Sequence, residues 1–296
     1  MHGIIKVFTA FSGYDSQMMA LNRVADRHKD EISFDLVGWS EIDKYAIKAH
    51  DLIFPQYKDR NYGDISKIDW SQVPDFDLFT YSSPCQDWSA AGLQRGGQEG
   101  SGTRSSLLWE CRKAIIAKKP KYLLLENVKA LVSKKFRPYF DKWCSELEEY
   151  GYHNYWKVMN AKDYGIPQNR ERVFLLSIRS DVDGGNFIFP EEFELTTFLK
   201  DVLEENVDEK YYLSEKSIEG FISHNDNHER KGTGFIWKPK DINRGADSHL
   251  YKSERKSQCN GQLANCLRAN ATLCPTDNTI REWITDENYI SVKSYG

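Results

Sequence analysis

Cys85, Glu126, Arg170 and Arg172 are the side chains of this 296-residue chain that could carry covalent chemistry, and each stands where an apolar run meets a polar one. Pro84-Cys85-Gln86 follows Phe76-Asp77-Leu78-Phe79-Thr80-Tyr81. That order puts a thiol at the mouth of a buried strand, with proline stiffening the backbone before it. A thiolate is a nucleophile, and cationic neighbours favour it; Arg170 and Arg172 would supply that field if the fold brings them in. The competing reading of Cys85 is a small buried hydrophobe. The proline and the polar loop tip the balance toward reactivity. Glu126 ends Tyr122-Leu123-Leu124-Leu125, where a carboxylate is costly to bury without a partner or a purpose. Either helix N-terminal amides satisfy it, or its burial suits it to carry a proton onto a substrate ring nitrogen.

A second group of residues reads as a ligand cradle. Phe8-Thr9-Ala10-Phe11-Ser12-Gly13-Tyr14-Asp15-Ser16 bends from a first strand into a first helix, and its glycine lets backbone approach a ligand closely. The three-glycine dinucleotide fingerprint is absent, which disfavours a nicotinamide cofactor. Glu41 follows the second strand, where an acid can hold ribose hydroxyls or simply serve as a helix N-terminal charge. On spacing alone the two readings are even.

The elements that must position these residues are strands over Ile4–Phe11, Phe34–Trp39, Phe76–Tyr81, Tyr122–Glu126, Tyr155–Asn160 and Arg172–Ile178. Between them a helical pattern over Ser105–Lys118 carries Leu108, Cys111, Ile115 and Lys118 on one side. The next has Phe136, Tyr139, Phe140, Trp143 and Leu147 at helical spacing, read as core, with Gly151 as a stop. Strand–helix alternation predicts an α/β fold with a doubly wound, mostly parallel sheet, in which ligands bind beyond the carboxyl ends of the strands. Ser12-Gly13, Glu41, Ser83–Gln86 and Glu126-Asn127 all fall at such ends.

After Pro190 the alternation fades. Residues 226–256 hold eight Lys/Arg against five Asp/Glu, among Phe235, Trp237 and Tyr251. The expected organisation is therefore a domain over 1–190 and a smaller irregular one over 191–296. The net charge of −4 argues against coating nucleic acid through bulk charge and leaves room for a local basic surface. Arg230, Lys231, Arg244 and Arg255 are candidates for that surface, with solvated charge as the equal alternative. No apolar run nears the ~20 residues that span a bilayer, and six cysteines without disulfide spacing point to a reducing cytoplasm. Cys259, Cys266 and Cys274, with His249, lack the short paired spacing of structural zinc, so no metal is expected.

Taken in order, these motifs resemble the DNA cytosine-5 methyltransferase family from about Val7 to Arg179. Phe11-Ser12-Gly13 resembles the first motif that binds S-adenosyl-L-methionine (AdoMet). Glu41-Ile42-Asp43 resembles the second, whose acid holds the ribose. Asp64-Ile65 is similar to the adenine contact, Pro84-Cys85-Gln86 to the nucleophile loop, and Thr103-Arg104-Ser105-Ser106-Leu107 to the segment after it. Glu126-Asn127-Val128 looks like the carboxylate motif, and Gln168 to Arg172 like the motif that touches the flipped cytosine.

The resemblance implies an AdoMet-dependent methyltransferase sheet, Rossmann-like, with a target-recognition domain that reads double-stranded DNA. Cys85, Glu126, Arg170, Arg172 and Gln86 would be catalytic. Gln86 and Ser89 lie on the loop that would close over the base. Phe11, Ser12, Gly13, Glu41, Ile42, Asp64, Ile65, Pro84 and Leu107 would hold the cofactor. Two departures stand out. Asp15 replaces the second glycine common in the first motif, which removes a flexible site and adds charge near the cofactor. The two motifs that close such chains are not found before Gly296. The alternatives are therefore an active cytosine-5 methyltransferase, cytoplasmic and encoded by a bacterium or phage, or a split or truncated DNA-binding subunit. In the second case another polypeptide would carry the missing motifs. A transfer-RNA methyltransferase ranks third, since the Cys-Phe-Thr segment of that branch is absent.

Overall fold

The computed structural model describes residues 2–88 and 95–204. Beyond these it describes isolated positions between 214 and 230 and the short strands 240–241, 264–265, 279–283 and 290–294. The chain divides into two compact units. The first comprises Met1–Met159 with Glu171–Pro190, and the second Asn160–Arg170 with Glu191–Gly296. A break follows Pro190, and residues 160–170, placed by the sequence reading within 1–190, join the second unit.

The first unit is built on six strands: β1 (Gly3–Ala10), β2 (Ile32–Ser40), β3 (Leu78–Tyr81), β4 (Tyr122–Val128), β5 (Tyr152–Asn160) and, after the short β6 (Gln168–Asn169), β7 (Glu171–Arg179). Their order across the sheet is β2-β1-β3-β4-β7-β5. β1 runs parallel to β2 and β3, and β3 parallel to β4. β7 runs antiparallel to β4. The sheet is thus mostly parallel and doubly wound, with helices α1 (Ser16–Arg27), α2 (Lys44–Ile53), α3 (Cys111–Lys118) and α4 (Arg137–Glu149).

Both faces are buried at β3 and at the carboxyl-terminal half of β1, which is why these segments read as continuous apolar runs, whereas β4 and β7 alternate in burial. Val7 and Leu78 join one cluster with Met18, Leu36, Trp39 and Phe54. Their neighbours Phe8 and Phe79 face a larger cluster that holds Trp109, Ile115, Phe140, Trp143 and Leu147. On α4 the buried residues are Phe140, Trp143 and Leu147, one stripe of a helix. Gly151 follows that helix at φ 87°, a conformation glycine adopts without strain. Trp143 Nε1 donates to the Tyr81 hydroxyl (3.1 Å), which ties α4 to the end of β3.

The stretch over Ser105–Lys118 is not one α-helix. Arg104–Glu110 is a 3-10 turn and the α-helix begins at Cys111, although Leu108, Cys111 and Ile115 are buried as their spacing implies. The Ser105 N–H, a first-turn donor with no intrahelical partner, donates to Asp87. Lys118, counted on that apolar side, ends in an ion pair with Asp75 (3.2 Å).

In the second unit, Gln168–Asn169 pairs in parallel with Ala264–Asn265. Thr279–Trp283 pairs antiparallel with Ile290–Ser294 and parallel with Lys240–Asp241. Among the described residues no helix is long and apolar enough to cross a membrane.

Candidate active site

Sheet register gathers the motifs. Ala10 pairs with Ser40 and with Tyr81, and Tyr81 pairs with Leu125. Extending each strand by one residue sets Phe11 beside Glu41, and Ser82 beside Glu126. The four chain segments therefore leave the sheet along one edge. Because β7 is antiparallel, its first residues meet the last of β4, with Arg172 opposite Val128. A strand of reversed sense thereby brings its arginine to the edge where the parallel strands end.

The pair at the centre is Glu126 and Arg172. Arg172 Nε lies 2.9 Å from Glu126 Oε1, and the side chains are 16% and 24% exposed. Arg172 is thus a partner of the kind a carboxylate needs at that depth. Arg172 also donates from Nη1 to the Glu171 carbonyl (2.8 Å), and Lys129 pairs with Glu171 (2.7 Å). Arg170 belongs to the second unit, where its N–H donates to Asn160 Oδ1 (2.9 Å) and its carbonyl accepts from Ala161.

Cys85 is half-buried, unlike Cys111, which is fully enclosed. Burial pushes the Cys111 thiol far up and the Cys144 thiol up to about 12, so neither supplies thiolate near neutral pH. The segment around Cys85 is held from both sides. Asn127 Nδ2 donates to the Ser83 carbonyl (3.0 Å) and to its hydroxyl (3.2 Å), fastening the end of β4 to the start of the thiol loop. Gln17 Nε2 donates to Ser82 Oγ (2.7 Å) from α1. On the other flank Asp87 is buried and accepts from Arg95 Nε (2.9 Å) and from the Ser105 N–H (3.2 Å). Burial pushes the Asp87 carboxyl up, but the hydrogen bonds from Arg95 and Ser105 outweigh it and hold the group below the ordinary carboxylate range. Gln86 Oε1 accepts from Arg104 Nη1 (3.2 Å). Ser89 lies outside the described residues.

The cradle beyond β1 is strained. Phe11 (φ 55°) and Asp15 (φ 66°) are left-handed, as is Gly13 (φ 59°) between them. Two non-glycine residues in that region within five positions mark a backbone that its surroundings must enforce. Asp15 takes the conformation a glycine would take. Its carboxylate turns inward, accepting from Thr9 Oγ1 (2.7 Å) and the Met18 N–H (3.0 Å) as the cap of α1, so its charge serves the helix.

Glu41 Oε1 accepts from the Ile42 (2.7 Å) and Asp43 (2.9 Å) N–H groups, and Oε2 accepts from Gly13 (3.0 Å). Three of the roughly four lone-pair sites of a carboxylate are used, which leaves one for a hydroxyl. Ile42 beside it is 64% exposed. A carboxylate with a spare acceptor beside an uncovered apolar side chain could hold a ligand that carries both a hydroxyl and an apolar face. Asp64 caps the turn Ile65–Lys67, accepting from Ser66 Oγ (2.7 Å) and N–H (3.0 Å); these bonds hold its carboxyl below the usual range. Ile65 beneath is buried, and Ser12 is tied by its N–H to the Ser40 carbonyl (3.2 Å). Leu107 is partly exposed on the 3-10 turn after the thiol loop, and the Pro84 carbonyl accepts from Ser105 Oγ (2.7 Å).

Sequence reasoning named Cys85, Glu126 and Arg172 but missed Asp87 and the tie made by Asn127. Neither leaves a periodic trace, although an acid two residues after the thiol was a visible signal for the first. Lys231, Arg244, Arg255, Phe235, Trp237, Tyr251, Cys259, Cys266, Cys274 and His249 lie outside the described residues. Among the described residues no group of three or more His, Cys, Asp or Glu could hold a metal ion.

Comparison with known proteins gives this geometry a family. The chain is 41% identical over 260 residues to the type II methyltransferase M2.ScrFI of Lactococcus lactis subsp. cremoris, covering 73% of this chain and 72% of that one. It is 33% identical over 248 residues to the orphan methyltransferase M.SPRI of Bacillus phage SPR, covering 74% of this chain and 54% of the phage protein. The chain thus spans from about half to nearly three quarters of the length of these relatives. In fold it is similar to the Entamoeba histolytica methyltransferase EhMeth, with a TM-score of 0.58 at 21% identity over 74% of this chain and 67% of that one. The model of the C-5 cytosine-specific DNA methylases matches residues 5–292, nearly the whole length, and the chain belongs to that family.

Proposed function

We propose that the protein transfers a methyl group from AdoMet to C5 of a cytosine flipped out of a specific duplex DNA sequence, through a covalent bond between Cys85 and C6. The observation that carries this reading is the Ser83–Asn127 tie between adjacent strand ends, which sets Cys85 and Glu126 at one edge with Arg172 opposite. C5 of cytosine is too poor a nucleophile to take a methyl group unaided. Cys85 Sγ forms a bond to C6, and the displaced electron pair makes C5 an enamine carbon. Glu126 engages N3 and the exocyclic amine, and Arg172, with Arg170, holds the base oxygen. AdoMet, when bound, would supply an electrophilic methyl sulfonium, whose S–CH3 bond breaks as the bond to C5 forms, leaving S-adenosyl-L-homocysteine. Once C5 carries the methyl group, it loses its proton to a base, the Sγ–C6 bond breaks, and the C5=C6 double bond re-forms with Cys85 released. A stacked duplex hides C6 from the thiol, so the base must leave the helix.

Phe11, Ser12, Gly13, Glu41, Ile42, Asp64, Ile65, Pro84 and Leu107 form the cofactor site in this reading, and the unit containing 191–296 reads the DNA. The cytoplasm, where bacterial and phage DNA is modified, is the compartment it implies. The test is transfer of labelled methyl from AdoMet to duplex DNA, with transfer RNA alongside. Glu126→Gln should slow transfer by about 10²–10⁴-fold, the range of a lost acid–base group, and Cys85→Ser should abolish the covalent complex. A Cys85→Ser protein as fast as the parent would overturn the mechanism, and labelling confined to RNA would overturn the substrate.

A further inference from the structure

The backbone around Cys85 is held by several hydrogen bonds. Ser83 O is held by Asn127 Nδ2, and Cys85 O accepts from the Trp88 N–H (3.0 Å). The remaining ties converge on two buried residues, Asp87 and Ser105. Ser105 Oγ donates to the Pro84 carbonyl (2.7 Å) and accepts from the Asp87 N–H (3.1 Å). The Asp87 carboxylate in return accepts from the Ser105 N–H (3.2 Å) and, on its other oxygen, from Arg95 Nε (2.9 Å). Each residue's side chain thus bonds the other's backbone, and the pair spans Cys85 from Pro84 to Asp87. Gly97 completes the enclosure, since a Cβ there would lie 2.3 Å from the Trp88 ring and 2.7 Å from the Ser105 carbonyl.

We propose that Asp87 and Ser105 are positioning residues, a reciprocal clip that fixes the Pro84–Asp87 turn and so the direction of the Cys85 thiol. The inference rests on reading Cys85 as the nucleophile. A reacting atom displaced by about 1 Å costs on the order of 100-fold in rate, so the clip acts chiefly on turnover; of the proposed cofactor residues it bonds only Pro84, through its carbonyl. Because the two residues act as one device, their losses should not add.

The test uses Ser105→Ala, Asp87→Asn and the double variant in the full chain, with two readouts. The first is iodoacetamide labelling of Cys85 relative to Cys111, followed by peptide mass spectrometry. Cys111 is fully buried and reports any general opening of the fold, which would raise both signals together. A clip predicts that the Cys85-to-Cys111 labelling ratio rises at least threefold in each single variant, with no further rise in the double. The second readout is methyl transfer, where kcat should fall about 10–100-fold and KM for AdoMet should change by a smaller factor than kcat. An unchanged ratio in both single variants, or a kcat within twofold of the parent, overturns the proposal. If the parent protein itself transfers no methyl group, the functional reading fails, and the labelling ratio alone decides the clip.

Discussion

An L-residue at φ 66° and ψ 58°, as Asp15 is, presses its Cβ against its own carbonyl at a cost of about 1–2 kcal/mol. The residue is retained there by its side chain, which satisfies the Met18 N–H and the Thr9 hydroxyl in a fully buried setting. The sequence presents the position as a lost glycine with an added charge, because it shows the residue type and not the direction the carboxylate takes. The consequences can be ordered. Asp15→Ala keeps the strain, loses the cap and orphans two buried groups, and should cost about 2–4 kcal/mol. Asp15→Gly relieves the strain and should cost about 1 kcal/mol less. Asp15→Asn keeps an acceptor for Met18 and tolerates the backbone, so it should be the mildest. Urea unfolding of the three variants measures the order. Equal losses for Ala and Gly would show that the left-handed backbone is not what Asp15 sustains.

Between α3 and α4 the same reasoning applies to a set of charges. Arg112 of α3 meets Glu146 of α4 (Nη2–Oε2 2.7 Å) and Glu99 (Nη1–Oε1 2.7 Å), while Lys142 of α4 reaches Glu99 (2.9 Å). The Trp109 ring lies under both cations, 5.5 Å from the Arg112 guanidinium and 4.6 Å from Lys142. Hydrogen bonds from Arg112, then Lys142, lower the Glu99 carboxyl from 4.5 to about 2. A depressed carboxyl contributes its full stability above the unfolded value and loses it as pH falls toward the folded one. This tie is therefore intact above about pH 4.5 and is lost between there and about pH 2. Glu99 is 43% exposed, so solvent screening limits its worth to about 1 kcal/mol or less. Glu99→Gln should be less stable than the parent near neutral pH by up to that amount, with the gap closing on acidification. A gap that stays constant from about pH 6 to pH 3 would assign the loss to packing. The helices themselves were legible from aromatic and aliphatic spacing, since periodicity records which side is buried. It does not record what a backbone N–H bonds to, and so the 3-10 turn over Arg104–Glu110 was hidden behind a pattern that fits an α-helix equally well.

For the whole molecule, the order of motifs along the chain predicts one shared edge because parallel strands with crossovers send every carboxyl end the same way. That much of the site follows from sequence. The reversed β7 does not, since an apolar run carries no direction, and neither does the passage of Asn160–Arg170 into the second unit. The two arginines two positions apart are consequently divided: Arg172 pairs with Glu126 in the first unit, and Arg170 is anchored in the second. All the proposed cofactor residues fall in the first unit, from Phe11 to Leu107, so the chain as it stands should bind AdoMet without DNA. At about 100 times its dissociation constant the cofactor should stabilise the fold by about 2.7 kcal/mol. For a domain of this size that raises the thermal midpoint by roughly 5–10 °C. Cys85→Ser should keep the full shift, because its thiol acts on the base. Glu41→Gln, which weakens the carboxylate's hold on a ribose hydroxyl, should require about tenfold more cofactor for the same rise, a difference of about 1.4 kcal/mol. A midpoint that does not move at saturating AdoMet would remove the cofactor role from this unit. A rise seen only after a second polypeptide is added would show instead that the pocket is shared between two chains.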